Sequence, residues 1–205
     1  MIKNIIFDLG GVVINYNQKK IIDQFTNKDD EKSYIFDEIF KSEEWKLLDL
    51  GTITKNEAIE NINKRNNNKY KELTEIFLSE WYKSQNIHRE TVDIAKKLKN
   101  SGYNIYVLSN MACETFDYFK NDEFFCLCNG IVVSGYEHVK KPDEKIFNVL
   151  LDRYSLNAEE CLFIDDDDTG RSYNTANSMG IQGRRVESNN YKDIEKLLEE
   201  YSIEF

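Results

Sequence analysis

Three apolar stretches of this 205-residue chain run directly into residues that could do chemistry. The stretch "IIF" leads into an aspartate and a glycine pair, "NIYVL" into a serine and an asparagine, and "CLFI" into four consecutive aspartates. Carboxylates crowded together repel one another unless a hard cation joins them, and a set of oxygen ligands suits magnesium. Taken singly, the first and last features could be an Asp/Gly turn and a solvated acidic turn. The candidate residues are Asp8, Gly10, Gly11, Ser109, Asn110, Asp165, Asp166, Asp167 and Asp168.

A lysine provides a further candidate. In the stretch "HVKKPDEKIF", Lys141 precedes Pro142, which is the only proline of the chain. Proline restricts the backbone of the residue before it and favours the first turn of a helix that follows. A lysine held in this way can act as the countercharge for a phosphoryl group or for a nucleophilic carboxylate. By itself, Lys141 could equally be a solvated surface lysine.

The elements that carry these residues alternate between strand and helix. Strand patterns cover residues 2–8, 104–110, 130–134, 161–166 and 183–188, and helical patterns occur between them. This alternation predicts βαβ units, and therefore an α/β fold with a Rossmann-like, doubly wound parallel sheet. In such sheets, ligands bind at the carboxyl ends of the strands. We therefore expect the three polar strand ends to meet in one crevice.

The region between residues 17 and 87 breaks the alternation, because its pattern is helical and amphipathic throughout. Within it, Thr54 and Glu57 predict a capping box at the start of a helix. We interpret residues 17–87 as a helical cap inserted after the first strand, with residues 1–16 and 88–205 as the catalytic core. A separate small helical bundle is the alternative. Trp45 and Asp49 are the cap residues that could face the site, although Trp45 fits a core position better.

The composition disfavours several classes of protein. A formal net charge of −10 disfavours binding to nucleic acid or to an anionic membrane surface, because both need a basic face. No apolar run has the length of a membrane span, and the first residues are too polar for a signal peptide. The four cysteines lack the spacing of a zinc site and indicate reduced thiols. We expect a cytoplasmic protein that is a monomer or a weak homodimer.

Together, these motifs resemble those of the haloacid dehalogenase-like hydrolase superfamily. "FDLGGVV" is similar to its first motif, "VLSN" to its second, "KKPDEKIF" to its third and "FIDDDD" to its fourth, in the same order. That superfamily inserts a helical cap between its first two motifs. The sequences of these motifs are most similar to those of a branch of glucose-1-phosphate phosphatases, which is akin to the phosphatase half of soluble epoxide hydrolases. The resemblance implies a magnesium-dependent phosphatase for small phosphorylated metabolites such as a hexose 1-phosphate.

The resemblance also implies a role for each motif residue. Asp8 would attack phosphorus and carry an aspartyl-phosphate intermediate, assisted by Ser109 and Lys141 as the other catalytic residues. The implied ligands of Mg²⁺ are Asp8, the carbonyl of Gly10, Asp165 and Asp166. The implied phosphate-binding residues are Gly10, Gly11, Ser109, Asn110 and Lys141.

Two departures from the family pattern matter. Most such phosphatases have an aspartate at the position of Gly10, and this general acid contributes about a hundred- to ten-thousand-fold in rate. Its loss counts against a phosphosugar mutase and favours substrates whose leaving oxygen is a weak base, such as a hexose 1-phosphate rather than a 6-phosphate. The spacing after the fourth motif is also longer than usual, which leaves open which of Asp165, Asp166, Asp167 and Asp168 binds the metal.

Two alternative functions stay open at this point. A catalytically weak or inactive regulatory or binding relative would explain Gly10, yet the other motif residues are all present. A 2-haloacid dehalogenase also lacks the second aspartate, but it needs no magnesium cluster, so the four acids speak against it.

Overall fold

A five-stranded parallel sheet forms the centre of the computed structural model, which describes residues 1–204. The strands are β1 (Asn4–Phe7), β2 (Asn104–Ser109), β3 (Gly130–Val133), β4 (Cys161–Asp165) and β5 (Gln182–Arg185). Across the sheet they follow the order β3-β2-β1-β4-β5, and every neighbouring pair is parallel. The chain therefore builds the sheet outward from β1 in both directions. This order confirms the predicted α/β, doubly wound fold.

Helices connect the strands and cover both faces of the sheet. They are α1 (Gln18–Asp23), α2 (Asp29–Tyr34), α3 (Glu43–Asp49), α4 (Lys55–Arg65), α5 (Lys71–Glu80), α6 (Arg89–Asn100), α7 (Cys113–Phe119), α8 (Glu123–Leu127), α9 (Ser134–Glu137), α10 (Glu144–Tyr154), α11 (Arg171–Ser178) and α12 (Tyr191–Glu200). A π-helix spans Ile35–Phe40, and 3₁₀-helices span Trp81–Ser84 and Ala158–Glu160. Among residues 1–204, no helix has both the length and the apolar character that a membrane crossing requires.

Alternation along each strand sends buried side chains to two separate hydrophobic clusters. On β1, Ile5 and Phe7 pack with helices α6 and α12 on one face, whereas Ile6 packs with helix α10 on the other. Strand β4 repeats the pattern, with Ile164 on the first face and Phe163 on the second. A strand that is buried on both faces has a continuous apolar sequence, and for this reason β1 and β4 could be predicted from the sequence.

The helices between β1 and α6 form a third hydrophobic cluster of their own, and we call α1 to α5 and the two short helices among them the cap helices. Isoleucines and aromatic residues of α1, the π-helix, α4 and α5 make up this cluster. Helix α4 begins with the predicted capping box, in which Thr54 and Glu57 bond each other's backbone amides. The cap helices therefore have a core separate from those of the sheet.

Two chain segments join the cap helices to the sheet, and they run side by side. The amide of Asn15 donates to the carbonyl of Asn86 at 2.8 Å, and the amide of His88 donates to the carbonyl of Val13 at 2.8 Å. The side chain of Asn189 binds both the amide and the carbonyl of Tyr16, and it also contacts the His88 ring. The entry and exit of the insertion thus lie together against the carboxyl end of the sheet.

The last strand differs from its sequence-based prediction of residues 183–188. Strand β5 ends at Arg185, and although the amide of Val186 still bonds the Asp165 carbonyl at 3.0 Å, the chain then turns. The Asp193 carboxylate accepts the Glu187 amide at 2.8 Å, which directs the chain into α12. A side-chain contact of this kind has no local sequence signature.

Candidate active site

Three carboxylates meet at the carboxyl ends of the two central strands. Oxygen atoms of Asp8, Asp165 and Asp166 all lie within 4.8 Å of one another, and we call these residues the acidic group. The sheet register causes this meeting, because Phe7 on β1 pairs with Ile164 on β4. The residues that follow in each strand must then lie side by side. The sequence expectation that β1 and β4 present their acids to one crevice agrees with this geometry.

Lys141 is the buried cation of the site. Its Nζ atom lies 2.6 Å from Oδ2 of Asp165 and 3.0 Å from Oδ1 of Asp8, with 5% of the residue exposed. Burial by itself lowers the pKa of Lys141, but the charges of Asp8 and Asp165 outweigh burial and hold the pKa above its usual value. The lysine is therefore charged at neutral pH, whereas neighbouring Lys140 reaches outward to the Lys46 carbonyl at 3.4 Å.

The side chain of Asn110 holds Lys141 by its backbone. Its amide nitrogen donates to the Lys141 carbonyl at 2.9 Å, and its amide oxygen accepts the Lys141 N–H at 2.8 Å. Asn110 lines the same cavity of about 210 Å³ as Asp8, Lys141 and the carboxylates of β4. The sequence suggested a phosphate-binding role for Asn110, whereas this geometry supports a positioning role. Ser109, buried at the end of β2, precedes it.

The charge balance of the site favours a divalent cation. Three carboxylates face a single buried lysine, and burial raises the pKa of Asp8 to about 7 despite the opposing charge of Lys141. Although Lys141 Nζ forms an ion pair with Oδ1 of Asp8, this buried oxygen accepts no hydrogen bond within residues 1–204. A buried oxygen without a hydrogen bond, in an all-oxygen donor set, fits a hard cation such as Mg²⁺.

The other two aspartates of the fourth motif lie outside the acidic group, although Asp167 lines the same cavity. The Asp167 carboxylate accepts the amide and hydroxyl of Thr169 at 3.0 and 2.6 Å and the Ser172 amide at 3.1 Å, so it caps helix α11. Burial alone would raise the pKa of Asp167, but these hydrogen bonds outweigh it and lower the pKa. Asp168 is exposed. The geometry thus favours Asp165 and Asp166 as the acids that face Asp8.

The two glycines after β1 differ in what they require. Gly11 has a φ of +74°, and a Cβ atom there would lie 2.0 Å from Oδ2 of Asp166, so only glycine fits. Gly10 lies outside the left-handed region, and a Cβ atom there would meet the Tyr16 ring at 3.8 Å, an ordinary contact. The turn is held by amides of Gly11 and Ile14, and neither bond uses the Gly10 carbonyl. That carbonyl is therefore available to a cation.

A carboxyl group of the cap helices also faces this region. Burial raises the pKa of Asp49, the last residue of α3, to about 7, with the charge of Lys140 opposing the shift and that of Asp8 adding to it. The hydroxyl of Ser134 donates to the Asp49 carbonyl, and the His138 ring contacts the Leu50 carbonyl at 3.0 Å. These bonds fix the backbone of Asp49 without occupying its carboxyl group. Asp49 was a weak candidate from sequence because no motif marks it.

Comparison with known proteins identifies related sequences and similar folds. A sesquiterpene phosphatase, astK, from Aspergillus oryzae (strain ATCC 42149 / RIB 40) is 26% identical over 166 residues, which cover 80% of either chain. A HAD-like hydrolase from Porphyromonas gingivalis has a similar fold, with a TM-score of 0.76 and 23% identity over 97% of this chain and 98% of that one.

Two further solved structures share the fold. A HAD family enzyme from Bacteroides thetaiotaomicron, in complex with magnesium and inorganic phosphate, has a TM-score of 0.72 and 22% identity over 93% of this chain and 96% of that one. The L-2-haloacid dehalogenase from Xanthobacter autotrophicus has a TM-score of 0.66 and 15% identity over 99% and 84%. The family model described as haloacid dehalogenase-like hydrolase matches residues 2–171. This chain therefore belongs to the haloacid dehalogenase-like hydrolases.

Proposed function

We propose that this chain is a magnesium-dependent phosphatase that hydrolyses small phosphorylated metabolites through an aspartyl-phosphate on Asp8. The observation that carries the proposal is the buried Asp8 oxygen without a hydrogen bond, beside Lys141 and two further aspartates. The related sesquiterpene phosphatase and the Bacteroides enzyme with bound magnesium and phosphate support the same chemistry.

The acidic group and one carbonyl are the proposed magnesium site. Asp8, the carbonyl of Gly10 and Asp166 would bind the ion, with Asp165 completing the oxygen set. Asp165 would contribute less to metal binding than Asp8 and Asp166, because its oxygens already contact Lys141 at 2.6 Å and the Asp167 amide at 2.7 Å. When bound, the ion neutralises phosphoryl oxygens and allows two anions to approach each other.

The hydrolysis divides into two displacements. An Asp8 carboxylate oxygen attacks phosphorus, and the bond between phosphorus and the leaving oxygen breaks as the alcohol departs. Water then attacks the phosphorus of the aspartyl-phosphate, which releases inorganic phosphate and regenerates the carboxylate. Lys141 and the Ser109 hydroxyl stabilise the charge on the phosphoryl oxygens, and the backbone amides around Gly11 approach the same oxygens. Asn110 keeps Lys141 in position.

Asp49 is the proposed source of the proton that the leaving oxygen needs. Residue 10, where the resemblance leads one to expect a carboxylic acid, is glycine and has none to offer. With its pKa raised to about 7, Asp49 holds a proton near neutral pH and can donate it to an alkoxide. The charged groups around it are Asp8 and Lys140, which act on its pKa in opposite directions.

The finer features of the function are part of the same proposal. Residues 17–87 form the cap, and residues 1–16 and 88–205 form the catalytic core. A hexose 1-phosphate is one proposed substrate, because its anomeric oxygen leaves as a weak base and needs little protonation. The cytoplasmic location and the monomeric or weakly dimeric state also stay predictions.

Release of phosphate from p-nitrophenyl phosphate tests the proposal. We expect turnover that requires Mg²⁺, that stops on addition of a chelator and that returns with excess Mg²⁺. Asp166→Ala should raise the magnesium concentration needed for half-maximal rate, whereas Asp168→Ala, at an exposed aspartate of the same motif, should not. Activity that survives the chelator would instead favour the dehalogenase. A protein that binds Mg²⁺ but shows no turnover would favour an inactive regulatory relative.

A further inference from the structure

A second cavity lies between the cap helices and the sheet domain. Its volume is about 330 Å³, within the range of about 300–1,000 Å³ that is typical of small-molecule sites. Apolar and aromatic side chains from α3, the loop after it, α5 and the following 3₁₀-helix form most of its wall, and we call it the cap cavity. They are Trp45, Leu48, Ile53, Leu78, Trp81 and Tyr82.

Most charged side chains of the cap cavity form ion pairs or hydrogen bonds with one another. Lys55 of the cap helices forms an ion pair with Glu114 of α7 at 2.6 Å, and the Tyr82 hydroxyl donates to the same carboxylate at 3.3 Å. Sugar recognition needs several free hydrogen-bonding groups aimed at the hydroxyls, because each hydroxyl that loses water without a partner costs free energy. The aliphatic side chains offer no such groups, and each indole ring of the wall offers a single N–H donor, which is too few for the several hydroxyls of a sugar.

The cap cavity lies next to the site at the strand ends. Asp49 lines the cavity wall, and the charge of Asp8 acts on its pKa, so the two carboxyl groups are near one another. From β2, the chain passes from Asn110 in the polar site to Ala112 and Cys113 in the cavity wall within three residues. A phosphate monoester bound at Asp8 would therefore direct its organic group past Asp49 into the cap cavity.

We propose that the cap cavity selects phosphate monoesters of apolar alcohols, with the phosphate at Asp8 and an alkyl or aryl group between Trp45, Ile53 and Trp81. This inference rests on the proposed phosphatase function and names its substrate class. Burying each methylene of such a group in the cavity contributes free energy that a sugar hydroxyl cannot match there. The phosphate supplies binding to the polar site in every substrate, so the organic group decides between them.

A series of phosphate esters with the same type of leaving oxygen tests this inference on the wild-type enzyme. Ethyl, butyl, hexyl and octyl phosphate are all primary alkyl esters, as is glucose 6-phosphate, so leaving-group basicity stays nearly constant. We expect kcat/KM to rise by up to about fourfold for each added methylene and to be at least about tenfold higher for hexyl phosphate than for glucose 6-phosphate. Acetyl phosphate, which has almost no organic group and a good leaving group, measures the catalytic site alone.

Two isoleucines between β1 and α6 provide a matched pair of variants. Ile53→Gln, in the cavity wall, should lower kcat/KM for octyl phosphate more than for acetyl phosphate, whereas Ile76→Gln, at a residue 47% exposed, should leave both unchanged. A flat alkyl series, or glucose 6-phosphate as a better substrate than hexyl phosphate, would overturn the inference while acetyl phosphate turnover still supports the phosphatase. Failure on acetyl and p-nitrophenyl phosphate alike would overturn the proposed function and this inference together.

Discussion

The polar site at the strand ends and the cap cavity differ in how tightly their side chains are determined. In the polar site, Lys141 is held by two carboxylates and by Asn110, and Asp167 fixes the start of the following helix. In the cap cavity, the side chains meet through apolar packing, which has no directional requirement. On the proposed function, this contrast predicts that variants of the polar site change the rate for every substrate, whereas variants of the apolar cavity wall change the choice of substrate.

Replacing the nucleophile should have the largest effect and should be the same for every substrate. Asp8→Asn keeps the shape of the side chain, but an amide cannot attack phosphorus, so we expect turnover to fall by at least about ten-thousand-fold. Phosphate release from p-nitrophenyl and octyl phosphate measures the loss, and circular dichroism checks that the fold persists. Normal turnover in this variant would end the covalent mechanism.

The second-largest expected effect is a difference in turnover between variants of the two adjacent lysines. Lys141→Ala removes the buried cation of the polar site, and we expect turnover to fall by at least about a hundredfold, because stabilisation of phosphoryl charge is lost. Lys140→Ala removes a side chain that donates to the Lys46 carbonyl and whose charge lowers the pKa of Asp49; with a good leaving group, which needs no proton from Asp49, its effect should stay within a few-fold. The ranking is measured with acetyl phosphate at saturating Mg²⁺. The reverse ranking would mean that Lys140 is the functional lysine.

Asp49 lies where the polar site and the cap cavity meet. The effect of removing its carboxyl group on kcat should therefore depend on the substrate. Asp49→Asn cannot donate a proton, and we expect kcat for octyl phosphate to fall by about ten- to a hundredfold, with little change for acetyl or p-nitrophenyl phosphate. A good leaving group needs no protonation, which explains the difference. Equal losses on all substrates would assign Asp49 a structural role instead.

A carboxylic acid introduced at residue 10 should raise the rate that Asp49→Asn lowers, by a smaller factor. Gly10→Asp should raise kcat for octyl phosphate several-fold in the Asp49→Asn background and do little for aryl phosphates, because only the alkoxide needs protonation. The backbone at Gly10 and the 3.8 Å approach to the Tyr16 ring leave room for the side chain. Gly11→Asp is the matched control and should destroy activity, since its Cβ would clash with Asp166.

The smallest expected effect is on stability. The pKa of Asp49 is 3.8 in an ordinary environment and about 7 in the folded protein, so between these values only the folded state holds the proton. Stability from this group therefore falls as pH rises from about 4 to about 7. Asp49→Asn removes this dependence of stability on pH. The Tm of the variant minus that of wild type should therefore grow by a few degrees as the pH rises from 5 to 8. Asp168→Asn, at an exposed residue, should show no such trend.

The features that could be predicted from sequence are those that depend on local pattern. β1 and β4 are continuous apolar runs, so the strand ends and the meeting of Asp8 with Asp165 followed from strand alternation and parallel pairing. The cap cavity could not be predicted, because it forms where residues such as Trp45 and Cys113 meet across the cap interface. The approach of Asp49 to Asp8 depends on the same interface.

The bond from Asn110 to Lys141 was also beyond sequence reasoning. Its two partners lie 31 residues apart and meet only once β2 and the loop before α10 are assembled. The motif therefore indicated Asn110 as a candidate but not its contact with the Lys141 backbone. The roles assigned to the site residues stay predictions until the variants are measured.

The contacts that dock the cap helices bear on the speed of the enzyme. Ser134 and His138 bind the backbone of Asp49 and Leu50, and the ion pair between Lys55 and Glu114 crosses the same interface. Each such bond contributes only about 0.5–1.5 kcal/mol, but a motion that lifts the cap helices to admit substrate or release product would break several of them at once. Opening motions of this kind take microseconds to milliseconds. With a good leaving group, we therefore expect release of products, rather than the breaking of the phosphorus–oxygen bond, to limit each turnover.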